Sequence, residues 1–462
     1  MAIDVSTASN GIVNGAPNGN AAQKSSLHHL PPSFYDYFLS DAAKESKPSA
    51  IRGLFPLENK PGVISLLAGK PNDAMFPFES FEFTTRSPSN PSEIVPVSVK
   101  GKDLSVGLQY AATAGLPRLN EWFVGLQERS HGRKRDEGWR LTIGAGSQDV
   151  LWKAIHTVVN DGDAVLIESP VYAGVIPVFE ALHCELIEVA TDDKGVSSTS
   201  LRSILESWPA EKPKPRAFYT VPYGCNPTGM TATIERRREV LQLAREHNFL
   251  ILEDDPYFYL YFGKAERPPS YFKLELEMPE VGRVVRFDSF SKILSAGMRM
   301  GFASGPKAIL DKMDMLTATV NLQGSSLVQA ITLALVEKWG YDDFYAHTEA
   351  VANFYREKRD AFENALKTHL GDLAEWSTPE AGMFFWFKLV LNPDATDEED
   401  SKELIESKAY QGGVLALPGS VFLPNGRKTA YVRAAFSLST EEQVNEAMRR
   451  LRVVMLKERE GR

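Results

Sequence analysis

Apolar and polar positions change period repeatedly between residues 139 and 287, and this alternation predicts the fold class. Trp139-Arg-Leu-Thr-Ile143 reads as a strand, Gly144-Ala-Gly-Ser-Gln148 as a tight turn, and Val150, Leu151, Ala154, Ile155 and Val158 as one face of a helix. The exchange continues through strand 164–168, helix 172–182, strand 185–190, helix 199–207, strand 216–221, helix 233–247, strand 249–253 and strand 282–287. Strands separated by helices predict an α/β fold with a mostly parallel sheet covered on both faces. In such sheets, ligands sit where strands hand over to loops at their carboxyl ends.

The flanks read differently. An amphipathic helix is expected over 34–48, then punctuated loops through Asp73, and a helix over 117–129 after Gly115-Leu-Pro117. Beyond about residue 342 come a long helix (343–369), strand 382–390, helix 401–411, strands 413–416 and 430–436, and a terminal helix 440–457. That order predicts a separate α+β unit. Residues 1–32, whose first part is rich in Ser, Asn, Gly and Ala, are expected to form a disordered tail, and the acidic run 394–400 a solvated loop.

Composition narrows the function. At 462 residues the chain is long enough for two or three domains of roughly 100–200 residues each. A formal charge of −9 leaves no basic stripe to track phosphates, which argues against nucleic acid as a partner. Only Cys184 and Cys225 are present, too few for a disulfide scaffold, and a reducing, cytoplasmic setting is expected. The eight histidines form no metal-ligating spacing, and His28-His29 is expected to be a solvated pair. No apolar run approaches the length of about 18 residues that a membrane span requires; the most apolar stretch, Met383 to Leu391, is interrupted by Lys388.

Candidate chemistry centres on Asp288-Ser-Phe-Ser-Lys292 and Arg299. A lysine in an apolar segment near positive charge is held neutral, and a neutral amine attacks carbonyls, which is Schiff-base chemistry. Ser289, Ser291 and Arg299 could hold a phosphate dianion. The turn before Ser147 and Gln148 is a phosphate-cradle design, because the first helical turn offers free N–H groups and a positive dipole end. Lysine, serines and arginine together suggest pyridoxal phosphate. Arg433, flanked by Val432, Ala434, Ala435 and Phe436, sits in too apolar a setting for a casual surface charge.

Four pieces in order, Asn226-Pro-Thr-Gly229, Glu253-Asp-Asp-Pro-Tyr257, Ser289-Phe-Ser-Lys292 with Arg299, and Tyr431-Val-Arg-Ala-Ala-Phe-Ser437, resemble the fold-type I pyridoxal-phosphate aminotransferases. Within them the likeness is to the kynurenine/aminoadipate and fungal aromatic amino acid aminotransferase group, and it runs from about Ser33 to the C-terminus. The resemblance implies that Lys292 carries the cofactor and moves a proton as general base and acid, and that Asp254 pairs with the ring nitrogen, leaving Asp255 as the structural neighbour. Asn226 and Tyr257 would hydrogen-bond the ring hydroxyl, Tyr172 would stack on the ring, and Ser147, Gln148, Ser289, Ser291 and Arg299 would hold the phosphate. Tyr110 would reach in from a second subunit, which implies a homodimer with shared active sites. Arg433 would take the substrate α-carboxylate, and Arg52 and Gly69 match positions beside the substrate side chain. The expected organisation is a large cofactor domain over 99–344 and a small domain built from 33–98 and 345–462.

The leading reading is transfer of an amino group from an aromatic or other bulky amino acid to 2-oxoglutarate. A lyase or cyclopropane-forming synthase on the same scaffold is the alternative. A regulatory protein with a fused DNA-binding module is a third, against which the tail lacks a basic helix-turn-helix. Val171 and Ala173 beside Tyr172, and the loop 53–60, depart from the family pattern, so substrate preference is not copied from any relative.

Overall fold

The computed structural model describes residues 28–58, 60–67, 69–135, 137–392 and 399–460. The tail through residue 27 and residues 394–398 of the acidic run lie outside them.

The central sheet has eight strands in the spatial order Trp139–Ala145, Met300–Pro306, Val284–Ser289, Leu250–Asp255, Ala217–Thr220, Ala164–Ser169, Glu185–Asp192 and Gly195–Val196. Five consecutive neighbours in that order, from Val284–Ser289 to Glu185–Asp192, are parallel. Met300–Pro306 reverses direction and pairs antiparallel with both Val284–Ser289 and Trp139–Ala145. Helices bury both faces, so the middle strands read as unbroken apolar runs; Leu250, Ile251 and Leu252 are wholly buried.

A second sheet, all antiparallel, joins Ala374–Trp376, Phe384–Leu389, Tyr431–Ala435 and Leu417–Pro418. Its Phe385, Phe387, Leu389 and Val432 share a separate core with Phe362, Leu366 and Leu370 of the long helix and Val444, Met448, Leu451 and Met455 of the terminal helix Glu441–Glu460. Tyr35, Phe38 and Val99 pack instead into the first core, with the central sheet.

Several expected elements differ. The helix expected over 34–48 is a 3₁₀ segment, Pro32–Tyr37, and a short helix, Asp41–Glu45, because Ser40 turns extended and caps the second through Ala43 N–H to Oγ at 3.2 Å. The helix over 172–182 shrinks to Ile176–Glu180, with Pro177 in its first turn, where the missing N–H is harmless. The expected helix 343–369 is the second of two helices that meet at Gly340 within Ser326–Leu370; Gly340 has φ 67° and ψ −175°, which suit only glycine, and the first helix, from Ser326, is additional. Strand 413–416 gives way to Leu417–Pro418, and helix 401–411 is wound as a π-helix over Leu404–Ala409. His28–His29 is not a free pair: it forms a parallel bridge with Glu280–Val281. The hairpin Ser80–Arg86/Ile94–Lys100 and the helix Lys307–Val320 are additional elements.

No helix among the described residues is long and apolar enough to cross a membrane.

Candidate active site

The carboxyl ends of the strands finishing at Ala145, Ser169, Thr220, Asp255 and Ser289 meet the start of the reversed strand at Met300. Each hands over to a loop that carries a candidate residue, and the reversal brings Arg299 to the same edge.

Gly146 turns the chain with φ 89° into the helix Ser147–Val158, which no side chain caps. A Cβ on Gly146 would lie 2.5 Å from Arg299 Nη2, so the guanidinium sits directly on this glycine. Arg299 donates through Nη2 to the Ala145 carbonyl at 3.2 Å, and through Nη1 to the Ala296 carbonyl at 3.2 Å and Ser291 Oγ at 3.5 Å. Among the described residues no carboxylate pairs with it. A helix N-terminus and an uncompensated guanidinium side by side make an anion site.

Lys292 is half-buried at the same edge. Burial first, and the Arg299 charge second, hold its ammonium below the usual lysine range. Asp254 closes the opposite side. It is 5% exposed, and Tyr219 Oη donates to its Oδ2 at 2.7 Å. Burial raises its carboxyl to about 6, against the Tyr219 hydrogen bond and the Arg286 charge, which lower it, while Asp288 adds to the rise.

Strand alternation turns Glu253 and Asp255 to the other face. There the buried Arg286 guanidinium lies 2.7 Å from Asp255 and 3.0 Å from Asp288, and Gln127 donates to Asp288 at 2.8 Å. Glu253 accepts the backbone N–H groups of Tyr271 and Phe272 at 2.8 and 3.1 Å.

Gln148 Nε2 donates to the Gly174 carbonyl at 2.8 Å and so ties the first helix to the loop carrying Tyr172. Asn226 Oδ1 accepts from Arg433 Nη1 at 2.9 Å across the two cores. The Arg433 guanidinium lies over the rings of Phe384 and Phe422, at 4.4 and 5.0 Å from their centroids. Tyr257, buried, meets Phe384 edge-on at 6.3 Å.

A cavity of about 280 Å³ is lined by Ser147, Gln148, Tyr172, Val221, Asn226, Asp254, Pro256, Tyr257, Ser289, Ser291, Lys292, Ala296, Arg299 and Phe384. Thus all the cofactor-side candidates of a single chain converge. Arg433 stands behind Asn226 and Phe384 rather than in the lining itself. Tyr110, 51% exposed, and the exposed Gly69 are not in this lining. Arg52 begins a single turn, Arg52–Leu54, and its side chain lies outside the described residues. Sequence reasoning missed Phe384, Tyr219 and Arg286. Phe384 opens a strand in which Phe385 and Phe387 face the second core, so alternation could have found it; Arg286, between Val284-Val285 and Phe287, carries the same apolar-setting signal as Arg433 and could have been found by it.

The aminotransferase tdiD of Emericella nidulans is 42% identical to this chain over 415 residues, covering 89% of it and 94% of the relative. The mitochondrial kynurenine/alpha-aminoadipate aminotransferase of Bos taurus is 36% identical, covering 90% of this chain and 98% of its own length. A solved structure of Pyrococcus horikoshii kynurenine aminotransferase, in complex with PMP, KYN as substrates and KYA as products, superposes with a TM-score of 0.71 at 28% identity, covering 92% of this chain and 98% of that one. A family model described as aminotransferase class I and II matches residues 101–451. With that match spanning most of the chain and full-length relatives agreeing, this protein belongs to the class I and II aminotransferases and works with pyridoxal 5′-phosphate.

Proposed function

We propose that this enzyme moves the amino group of an aromatic or other bulky L-amino acid to 2-oxoglutarate, as a cytoplasmic homodimer with shared active sites. The observation that carries the reading is Arg433. It is half-buried, it has no carboxylate partner among the described residues, and its Nε is buried without a hydrogen-bond partner. Burial lowers its pKa, while the Tyr257 and Tyr172 hydroxyls oppose that shift. A guanidinium so placed is completed by a ligand carboxylate in a two-pronged pair.

The cavity fits the cofactor. Gly146 leaves room for Arg299 at a helix N-terminus, Ser289 and Ser291 add hydroxyls, and Asp254 presents a buried carboxylate to the opposite wall. Pyridoxal phosphate, when bound, supplies an electron sink for charge developing at the substrate Cα. Ser147, Gln148, Ser289, Ser291 and Arg299 would hold its phosphate, Asp254 would keep a proton on its ring nitrogen, Asn226 and Tyr257 would serve its ring oxygen, and Tyr172 would lie against the ring. Lys292 Nζ, whose charged form burial and the Arg299 charge disfavour, would take the proton from the substrate Cα and return it as the reaction proceeds. Arg433 fixes the α-carboxylate and so aligns the Cα–H bond.

Space for a bulky side chain comes from the aromatic wall and from an adjoining cavity of about 700 Å³ that also reaches Ser291 and Lys292, walled by Trp339, Val351, Phe354 and Tyr355. Arg52 and Gly69, which match family positions beside the substrate side chain, would border it. The names of the relatives, among them kynurenine/alpha-aminoadipate aminotransferase, support the same substrate class. The two cores support a large cofactor domain over 99–344 and a small one containing 345–462. The packing of Tyr35 and Phe38, with Phe34 and Phe81 against the same core, favours grouping 33–98 with the large domain in the single chain rather than with the small one.

Steady-state assays of the wild type and Arg433→Lys test the reading. The wild type is expected to favour aromatic donors over alanine. The variant keeps its cofactor absorbance, raises KM for amino acid and 2-oxoglutarate alike, and loses roughly 2–5 kcal/mol in kcat/KM, the range for truncating a buried charged pair. If 2-oxoglutarate is unaffected, Arg433 selects side chains and the carboxylate anchor lies elsewhere.

A further inference from the structure

Glu168 ends the apolar run of Ala164–Ser169 and has no part in the steps above. It is 3% exposed and forms no ion pair among the described residues. Both of its oxygens serve one segment of chain. Oε1 accepts the Thr220 hydroxyl at 2.6 Å; Oε2 accepts the Val221 N–H at 3.0 Å and the Cys225 thiol at 3.7 Å.

The carbonyls of the same segment are held from another side. Arg237, wholly buried and likewise without a carboxylate among the described residues, donates through Nη2 to the Pro222 carbonyl at 2.7 Å and through Nε to the Ala232 carbonyl at 2.9 Å. Its Nη1 reaches the Pro269 carbonyl at 3.1 Å, and its guanidinium stacks on Tyr223 at 4.0 Å. One buried anion therefore collects donors of residues 220–225 while one buried cation collects the carbonyls at 222 and 232. Between these fixed points lies Asn226, which lines the cavity and orients Arg433.

Each charge is costly to bury, and an apolar pair would fill the same space without that cost. An ionised carboxylate does what no apolar group can, which is to accept three donors at once. We propose that Glu168 and Arg237 are positioning residues, a clamp of opposite charges that fixes the segment 220–232 so that Asn226 meets both the cofactor and Arg433. Burial raises the Glu168 carboxyl to about 7 against the lowering by Thr220, Val221, Cys225 and the Arg237 charge, so near neutral pH ionised and protonated forms are both populated. The substrate half of the inference rests on Arg433 being the carboxylate anchor; the cofactor half does not.

The test uses the holoenzyme and the variants Glu168→Ala and Glu168→Gln, each in wild-type and Asn226→Ala backgrounds. Readouts are KM for both substrates, the pH midpoint of the bound cofactor's absorbance, and Tm. Loss of hydrogen bonds to a charged group predicts that Glu168→Ala raises both KM values about tenfold and moves the absorbance midpoint. Glu168→Gln stays within about threefold of wild type, because its amide oxygen still accepts Val221 N–H and the Thr220 hydroxyl can reverse to accept. In the Asn226→Ala background, Glu168→Ala changes KM by less than about twofold, the sign of a shared path. Two results overturn the proposal: a lower Tm with KM and midpoint unmoved, or equal factors in both backgrounds. Should Glu168→Ala fail to fold or load, Thr220→Val removes a single donor and is judged by the same readouts at smaller size. If Arg433→Lys leaves KM untouched but Glu168→Ala still shifts the midpoint, the clamp stands and the anchor assignment falls.

Discussion

Three consecutive carboxylates, Glu253, Asp254 and Asp255, have different fates because a strand sends neighbours to opposite faces. Asp255 is paired with Arg286 at 2.7 Å, whereas among the described residues Asp254 meets only the Tyr219 hydroxyl within hydrogen-bond reach. Its carboxyl, at about 6, is mostly ionised at neutral pH, and a ring cation opposite would lower it further. Asp254→Asn cannot hold a proton on the ring by charge. The expected result is an enzyme that retains cofactor absorbance but loses kcat on the order of 10²–10⁴-fold, the scale of proton-state control in acid–base steps. A near-normal kcat would mean that no carboxylate performs this task. At this scale the sequence was most readable, since Lys292, Asp254, Asn226, Tyr257 and Arg299 were nameable from residue types in order, and all reach one cavity. Glu168 and Arg237 were not: Glu168 stands at a strand end and Arg237 in the charged run Glu235-Arg-Arg-Arg-Glu239, and only the partners that tertiary folding brings show which of these charges is buried.

Among the elements, the alternation of strand and helix made the parallel part of the central sheet legible from residue 139 onward. The strand Met300–Pro306 escaped it: this run, Met-Gly-Phe-Ala-Ser-Gly-Pro, is buried throughout and has neither a period of two nor branched side chains. Yet that strand explains how a cation seven positions after Lys292 returns to the same edge. The hairpin 80–100 did carry a readable signal, since Phe81 and Phe83 alternate with Glu82 and Thr84, and Val95, Val97 and Val99 follow the same rule. In the helix Lys307–Val320, Ile309, Leu310, Met313 and Thr317 show helical spacing that was equally available. Boundaries failed where single residues decide them, at Ser40 and Pro177, and the helix from Ser326 to the break at Gly340 went unread.

For the whole molecule, Tyr110 is the residue that asks for a second copy. It is 51% exposed and outside the cavity of its own chain, as the shared-site proposal requires. Mixing decides the matter. Tyr110→Ala and Lys292→Ala chains, each inactive or nearly so alone, are expected to regain activity when co-expressed, because half the sites of a mixed dimer then carry both defects and the other half carry neither. About a quarter of wild-type activity at equal mixing follows, from half the dimers being mixed with one intact site each; a mixture no better than its components would place Tyr110 outside the site.

The unpaired Arg433 has a thermal consequence. A folded chain that keeps a half-buried cation with no counter-ion among the described residues carries a solvation cost that a fitting carboxylate relieves, and the unfolded chain offers no such site. Ligand and heat resistance are therefore linked by mass action. An oxo acid at a hundred times its Kd is expected to stabilise the native state by about 2.7 kcal/mol, which a melting curve reads as a higher Tm. The same titration on Arg433→Lys should show a much smaller rise, so that the substrate's arrival can be followed by calorimetry before any amino group has moved.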